Sequence, residues 1–233
     1  MASTQKVRAD CRRLGNQDND ELGQRGLYVM GRTKRKNAEA QAFRDGTALD
    51  QTSTRVRLRE AAIKVFAEKG FHDTKISDIV SAAGVSQPTF YNYFVSKDAA
   101  YEALVTEFRE GFLQVTRRNL IPPEKPVGVV NQHLVVSFHR FLDYMASDPA
   151  LTEIGFFQPP GCSITKAQVV DWIADNISQE QASQHFRSDI EPQHIARLMV
   201  GLLDQMGRLH CEPDERQKLA EVCSSLFCNG ARG

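Results

Sequence analysis

Residues Thr74–Lys97 read TKISDIVSAAGVSQPTFYNYFVSK. Ile76, Ile79, Val80 and Ala83 recur at i, i+3, i+4 and i+7, which puts them on one face of a helix that Thr74 is placed to cap. Gly84 ends that helix, because glycine takes the left-handed C′ conformation without a Cβ penalty. Ser86 caps the next one, and Pro88 falls in its first turn, where a missing N–H removes no bond. The spacing predicts a helix, a short turn and a second helix of only about two turns.

That second helix has an unusual surface for its size. Phe90 and Phe94 are four apart and point inward, leaving Gln87, Thr89, Tyr91, Asn92 and Tyr93 outward or sideways. Such a density of hydrogen-bonding groups suits base edges and phosphates. A solvated polar face is the plainer explanation. The exposed tyrosines weigh against it, as does Lys97, which opens the next helix within reach of a phosphate.

The run A-G-V-S-x-x-T-F-Y-x-Y-F-x-S-K from Ala83 to Lys97 closely resembles the DNA-binding domain of the TetR family of bacterial transcriptional regulators. Upstream, R-x-x-x-A-A-x-x-x-F-A-x-x-G from Arg57 to Gly70 matches the family's first helix. The resemblance implies base or groove contacts from Gln87, Thr89 and Tyr91, with Pro88 and Asn92 on the same short helix. It also implies phosphate contacts from Thr74, Tyr93 and Lys97. One departure is Ala100, near which the family usually has a large aliphatic residue. The join to the next helix is therefore expected to pack on Tyr101 and Leu104.

Upstream, a helix is expected from about Ser53 to Lys69, with Leu58, Ala62, Val65 and Phe66 as its apolar stripe and Gly70 as its stop. Arg55, Arg57 and Arg59 at its start oppose the helix dipole but are useful beside phosphates. Residues 1–50 are polar, with few large apolar side chains to offset chain entropy, and read as a flexible arm. Its most basic run, Gly31–Lys36, is suited to a minor groove or to keeping the chain in solution. Met30, just before it, is a candidate for the native translation start.

Downstream, Lys97 to about Arg118 reads as one long helix able to act as a lever. A proline-rich boundary, Ile121–Pro126, follows, then a helix over Val129–Met145, a short piece over Pro149–Phe157, and a helix opened by Ser163 or Thr165. With no alternating strand pattern, the fold class is all-α: residues 51–97 a helix-turn-helix domain, 98–118 a connecting helix, 119–233 a ligand-binding and dimerisation domain.

Phe108, Phe112, Phe138, Phe141, Tyr144, Phe156, Phe157 and Trp172 are candidate pocket residues, with His133 or His139 as polar handles; core packing is the commoner fate of each alone. The resemblance adds an effector cavity in the rear domain without naming its ligand. Ile195, Leu198, Met199, Leu202, Leu203, Met206 and Leu209 form one further stripe, and Leu219, Val222, Cys223, Leu226 and Phe227 another. In the family such a pair resembles a four-helix dimer interface; Ile195, Leu198, Met199, Leu202, Met206, Leu219, Val222 and Leu226 are the expected contacts.

The 29 basic and 29 acidic residues balance overall but are unevenly placed. Residues 1–53 carry 10 and 7 (net +3), 54–118 carry 10 and 8 (net +2), and 119–233 carry 9 and 14 (net −5). A basic front and an acidic rear suit a protein that presents one end to DNA. No stretch approaches a membrane span and no signal peptide is evident, so a cytoplasmic location without membrane association is expected. The five cysteines, Cys11, Cys162, Cys211, Cys223 and Cys228, are scattered and lack zinc-site spacing; His210-Cys211 beside Cys223 is a loose cluster only. No phosphate loop, nucleophile elbow or H-E-x-x-H occurs, so neither enzyme, metal nor cofactor is expected. Together these point to a ligand-responsive, dimeric regulator of transcription, expected to act as a repressor on a palindromic operator in double-stranded DNA. The alternatives are an all-α small-molecule-binding protein or enzyme, or an activator of the same family.

Overall fold

The computed structural model describes residues 52–209 and 211–231. By contacts the chain divides after Thr54, and the unit Arg55–Gly233 is the one described below. The arm at 1–50, with Gly31–Lys36, Met30 and Cys11, lies outside the described residues, as does His210. Every regular element among the described residues is helical, in agreement with the all-α expectation.

Helix α1 (residues 52–73) buries Leu58, Ala62, Val65 and Phe66, its predicted stripe. The Phe66 ring meets Tyr101 edge-on at 5.2 Å and stacks on Phe71 at 6.2 Å. Gly70, the expected stop, takes a left-handed φ of 77°, yet helix continues past it to residue 73. Helix α2 (Ile76–Ala83) closes at Gly84, φ 64°, whose N–H reaches the carbonyls of Val80 and Ser81. After α3 (Gln87–Tyr91), Ser96 caps α4 (Lys97–Arg118) by accepting the Ala99 N–H at 3.0 Å. Ala100 is fully buried, and Tyr101 and Leu104 are buried beside it as expected. The Tyr101 hydroxyl donates to the Ile154 carbonyl and accepts the Gly161 N–H, both at 3.2 Å, which lets a phenol sit inside without an unpaired polar atom.

A 3-10 turn, Val127–Val129, leads into α5 (Val130–Ser147), which packs on α4 and on α9 (Pro213–Ala231). The short piece expected at Pro149–Phe157 is two elements: α6 (Pro149–Thr152), capped by Asp148, and a π-helical turn, Glu153–Phe157. Helix α7 (Gly161–Ala182) starts before either expected cap, because the Gly161 N–H is already satisfied by Tyr101 and the Cys162 N–H by the Gln158 carbonyl at 3.2 Å. Ser163 and Thr165 therefore lie within the helix. It packs on α4 and on α8 (Pro192–Met206). Between α4, α5 and the π turn, Phe112 stacks on Phe141 at 4.9 Å and on Phe156 at 5.6 Å, with Phe108 5.8 Å away. Each fully buried ring contributes about 1.5–3 kcal/mol of apolar burial.

Candidate nucleic-acid interface

The α2–α3 hairpin follows its sequence closely. The Ser86 hydroxyl accepts the Thr89 N–H at 3.3 Å and shares a hydrogen bond with the Thr89 hydroxyl at 2.8 Å, so α3 is pinned from its first turn. Phe90 is fully buried and packs on Phe94 at 5.5 Å, which fixes the rotation of this five-residue helix. Gln87, Pro88, Tyr91 and Asn92 are consequently exposed together, Tyr91 to 53%, with Thr89 and Tyr93 half-buried beside them. A tyrosine held half in water by its own helix is an unusual use of apolar surface, and it suits contact with sugar and phosphate. Arg55 and Arg57 are exposed near the start of α1.

Two candidates occupy other positions. Thr74 is buried, at 2% exposure, and its hydroxyl donates to the Gly70 carbonyl at 2.7 Å. The cap of α2 is Lys75, whose N–H donates to the Asp78 carboxylate at 3.1 Å. The Thr74 side chain is thus a brace between α1 and α2 and not the cap of α2. Lys97 is half-buried, and its Nζ donates to the carbonyls of Phe71 at 2.7 Å and Thr74 at 3.0 Å. Its charge is committed to the end of α1 in this structure. Arg59 is also structural, forked onto Glu107 of α4 and 3.8 Å from Asp148. Lys75, exposed at the start of α2, is the cation that sequence reading passed over.

The eight aromatic candidates do not line one cavity. Phe108, Phe112, Phe141 and Phe156 are buried, with Phe112 in ring contact with the other three and with Tyr144, which donates to the Phe108 carbonyl at 2.8 Å; the rings pack on one another as core. Phe138 belongs to another cluster, with Phe227 at 6.2 Å. Trp172 is half-buried, one position round from the inward Ile173. Phe157 alone borders a cavity of about 270 Å³, together with Leu142, Met145, Met206, Leu219 and Arg216.

A smaller void, about 20 Å³, lies among α4, α5, α7 and α8, and Phe141 is the one candidate ring on its wall. Its polar lining includes Thr116, Asn119, His133, Asn176 and Glu180. Glu180 is 4% exposed and accepts the Ile121 N–H at 2.9 Å. Burial pushes its carboxyl up to about 7, against the opposing pull of that backbone bond. His133, one of the two expected handles, bonds the Asn119 carbonyl at 2.8 Å; His139 instead faces Asp143 at 3.0 Å. The signal for Glu180 was present in the chain: it continues the stripe Ile173, Ile177 at i+7, where an acidic residue is out of place.

Helices α8 and α9 divide their apolar residues between two faces. Ile195 and Met199 turn into the core with Leu203, so they are not available to a partner as expected. Leu198 (66% exposed), Val222 (54%) and Leu226 (66%) face outward, with Leu202, Met206 and Leu219 between the two. None of the four described cysteines forms a disulfide, and burial raises the Cys223 thiol above its ordinary range. No helix among the described residues is long and apolar enough to cross a membrane.

Residues 58–104 match the family described as bacterial regulatory proteins, tetR family. The chain is 31% identical over 153 residues to the uncharacterized HTH-type transcriptional regulator YdgC of Bacillus subtilis (strain 168), spanning 66% of this chain and 78% of that protein. It is 31% identical over 180 residues to the fatty acid metabolism regulator protein of the same strain, spanning 74% and 91%. The solved structure of the fatty acid degradation regulator FadR from Bacillus halodurans has the same fold, with a TM-score of 0.62 at 19% identity over 76% of this chain and 95% of that one. With its hairpin geometry and these relatives, the chain is a helix-turn-helix transcriptional regulator and belongs to the TetR family of bacterial regulatory proteins.

Proposed function

We propose that this regulator is a cytoplasmic, ligand-responsive repressor, not an enzyme, that binds a palindromic operator in double-stranded DNA as a homodimer. The observation that carries the reading is the exposed set Gln87, Pro88, Tyr91 and Asn92, held outward by the Ser86 cap and the Phe90 anchor. A helix this short reaches few bases, so two copies about one or two DNA turns apart, roughly 34 Å each, supply the missing specificity. Residues 51–97 form the reading head, 98–118 the connecting helix, and 119–233 the ligand-binding and dimerisation region. A small-molecule effector held in the rear region favours one separation of the two heads, which requires different affinities for the two states.

The test is a selection of bound fragments from the genome of origin, followed by titration of the enriched site against a shuffled competitor at several salt concentrations. Enrichment of a palindrome, bound specifically and with a steep salt slope, supports the reading. Weak binding that is equal on every fragment overturns it.

A further inference from the structure

We propose that the groove between the carboxyl end of α4, the loop to α5 and the outer side of α5 binds a phosphate-bearing amphiphile. The groove has a volume of about 410 Å³, and no acidic side chain lines it. Arg118, Lys125 and Arg140 supply three cations, while Leu120, Val129 and Val136 supply an apolar wall, with Val136 39% exposed.

The plainer explanation covers part of this pattern. Arg140 donates to the Arg118 carbonyl at 2.9 Å and to the Asn119 side-chain oxygen at 3.2 Å, so it caps α4, and Arg118 in the last turn complements the helix dipole. Neither role accounts for Lys125, for the apolar wall or for the missing counter-charges. Some cations of the rear helices are paired, among them Arg109 with Glu102, Lys166 with Asp204, Arg187 with Asp189 and Arg216 with Asp143. Arg118 and Lys125 have no ion-pair partner among the described residues; Glu124 is next to Lys125 in the chain but does not line the groove.

The loop that forms the groove's floor is held by three hydrogen bonds. Glu180 holds the Ile121 N–H, His133 the Asn119 carbonyl and His185 the Lys125 carbonyl at 2.8 Å. The cations are thus presented on a held backbone, which lowers the ordering cost of binding. Arginine forks match phosphate oxygens in pairs, and a dianion balances three cations better than a carboxylate does. The apolar wall takes a short hydrocarbon segment.

Calorimetric titration of the full chain with octyl phosphate, octanoate, octanol and octylammonium, each kept below its micellar concentration, tests the assignment. Octyl phosphate should bind at least tenfold more tightly than the other three, and its affinity should fall as salt rises from about 50 to about 300 mM. Arg118→Glu/Lys125→Glu should reduce octyl phosphate affinity at least tenfold while leaving the circular dichroism spectrum unchanged; Arg118→Gln/Lys125→Gln replaces it if the charge reversal misfolds. Octanol or octylammonium binding as tightly as octyl phosphate, or variants that bind octyl phosphate like the parent, overturns the proposal. Octanoate binding equally overturns the phosphate assignment. No arm uses DNA, so the outcome is independent of the repressor reading.

Discussion

The ammonium of Lys97 donates to the carbonyl oxygen of Phe71 at 2.7 Å and stands 4.4 Å from the centre of the same residue's ring. A cation placed there satisfies carbonyls that the end of α1 leaves without intrahelical partners. Lys97→Met is therefore expected to cost about 1–3 kcal/mol, seen as a lower Tm. DNA affinity should fall because α2 shifts, not because a phosphate contact is lost. A salt slope equal to the parent's identifies this structural role; a slope reduced by about one would return Lys97 to the phosphates.

Arg55 and Gln87 are both exposed, yet different losses are expected from them. Arg55→Ala should weaken binding to all sequences alike and lower the salt slope by about one. Gln87→Ala should cost about 1–3 kcal/mol on the preferred sequence and relax preference at one base position, leaving the slope intact. Titrations of the enriched site and of its single-base variants separate the two. Identical profiles for both variants would remove the division between positioning and reading.

Gly155 lies in the π turn, where an added Cβ would stand 2.5 Å from Cγ of Phe108. That ring cannot retreat, since Phe112, Tyr144 and Phe156 surround it at 5.4–6.1 Å between centroids. Gly155→Ala should destabilise by about 1–3 kcal/mol through overpacking. Gly128→Ala, with nothing within 4 Å of the new atom, should stay within about 0.5 kcal/mol. Chemical denaturation of the two variants checks the contrast.

The hairpin was legible because its determinants are local: Gly84, Ser86 and Phe90 each act within a few residues of themselves. Lys97 was not, because the carbonyl that occupies it lies 26 residues upstream at the end of α1 and meets it only through tertiary packing; Thr74 was not, because its hydroxyl turns back to the Gly70 carbonyl instead of forward to the α2 backbone, a choice that residue type alone does not decide. Periodicity placed Ile195 and Leu198 on one stripe, but a stripe broad enough for two neighbours hides which side meets the core; the fold turns Ile195 in and Leu198 out. The aromatic candidates show the same limit. Composition registers that rings are concentrated, whereas whether they enclose space depends on centroid distances that no spacing rule contains.

Glu180 makes stability depend on pH in a direction unusual for a carboxylate. Its folded-state pKa, about 7, is above the ordinary 4.5, so between those values the folded chain holds a proton that the unfolded chain has released. Stability from this group is present below about pH 4.5 and is lost as pH rises through about 7, by about 3 kcal/mol in all. Glu180→Gln keeps an acceptor for the Ile121 N–H and removes the titration. The variant should match the parent near pH 5 and exceed its stability near pH 8 when both are unfolded in urea. Parallel pH profiles for the two proteins would place the relevant titration elsewhere.

Leu198 and Leu226, each 66% exposed, are large apolar side chains left outward by the two helices whose inner faces close the core. A second copy covers such a face if the pair forms the proposed bundle. Leu198→Glu/Leu226→Glu should therefore elute as a monomer, while Ile195, Met199 and Leu203 keep the helices folded from within. Because one chain reads a single half-site, the same variant should lose at least tenfold in operator affinity yet keep its sequence preference within that half-site. A variant that remains dimeric would move the interface off this face. A monomer with undiminished affinity would remove the need for two copies on the operator.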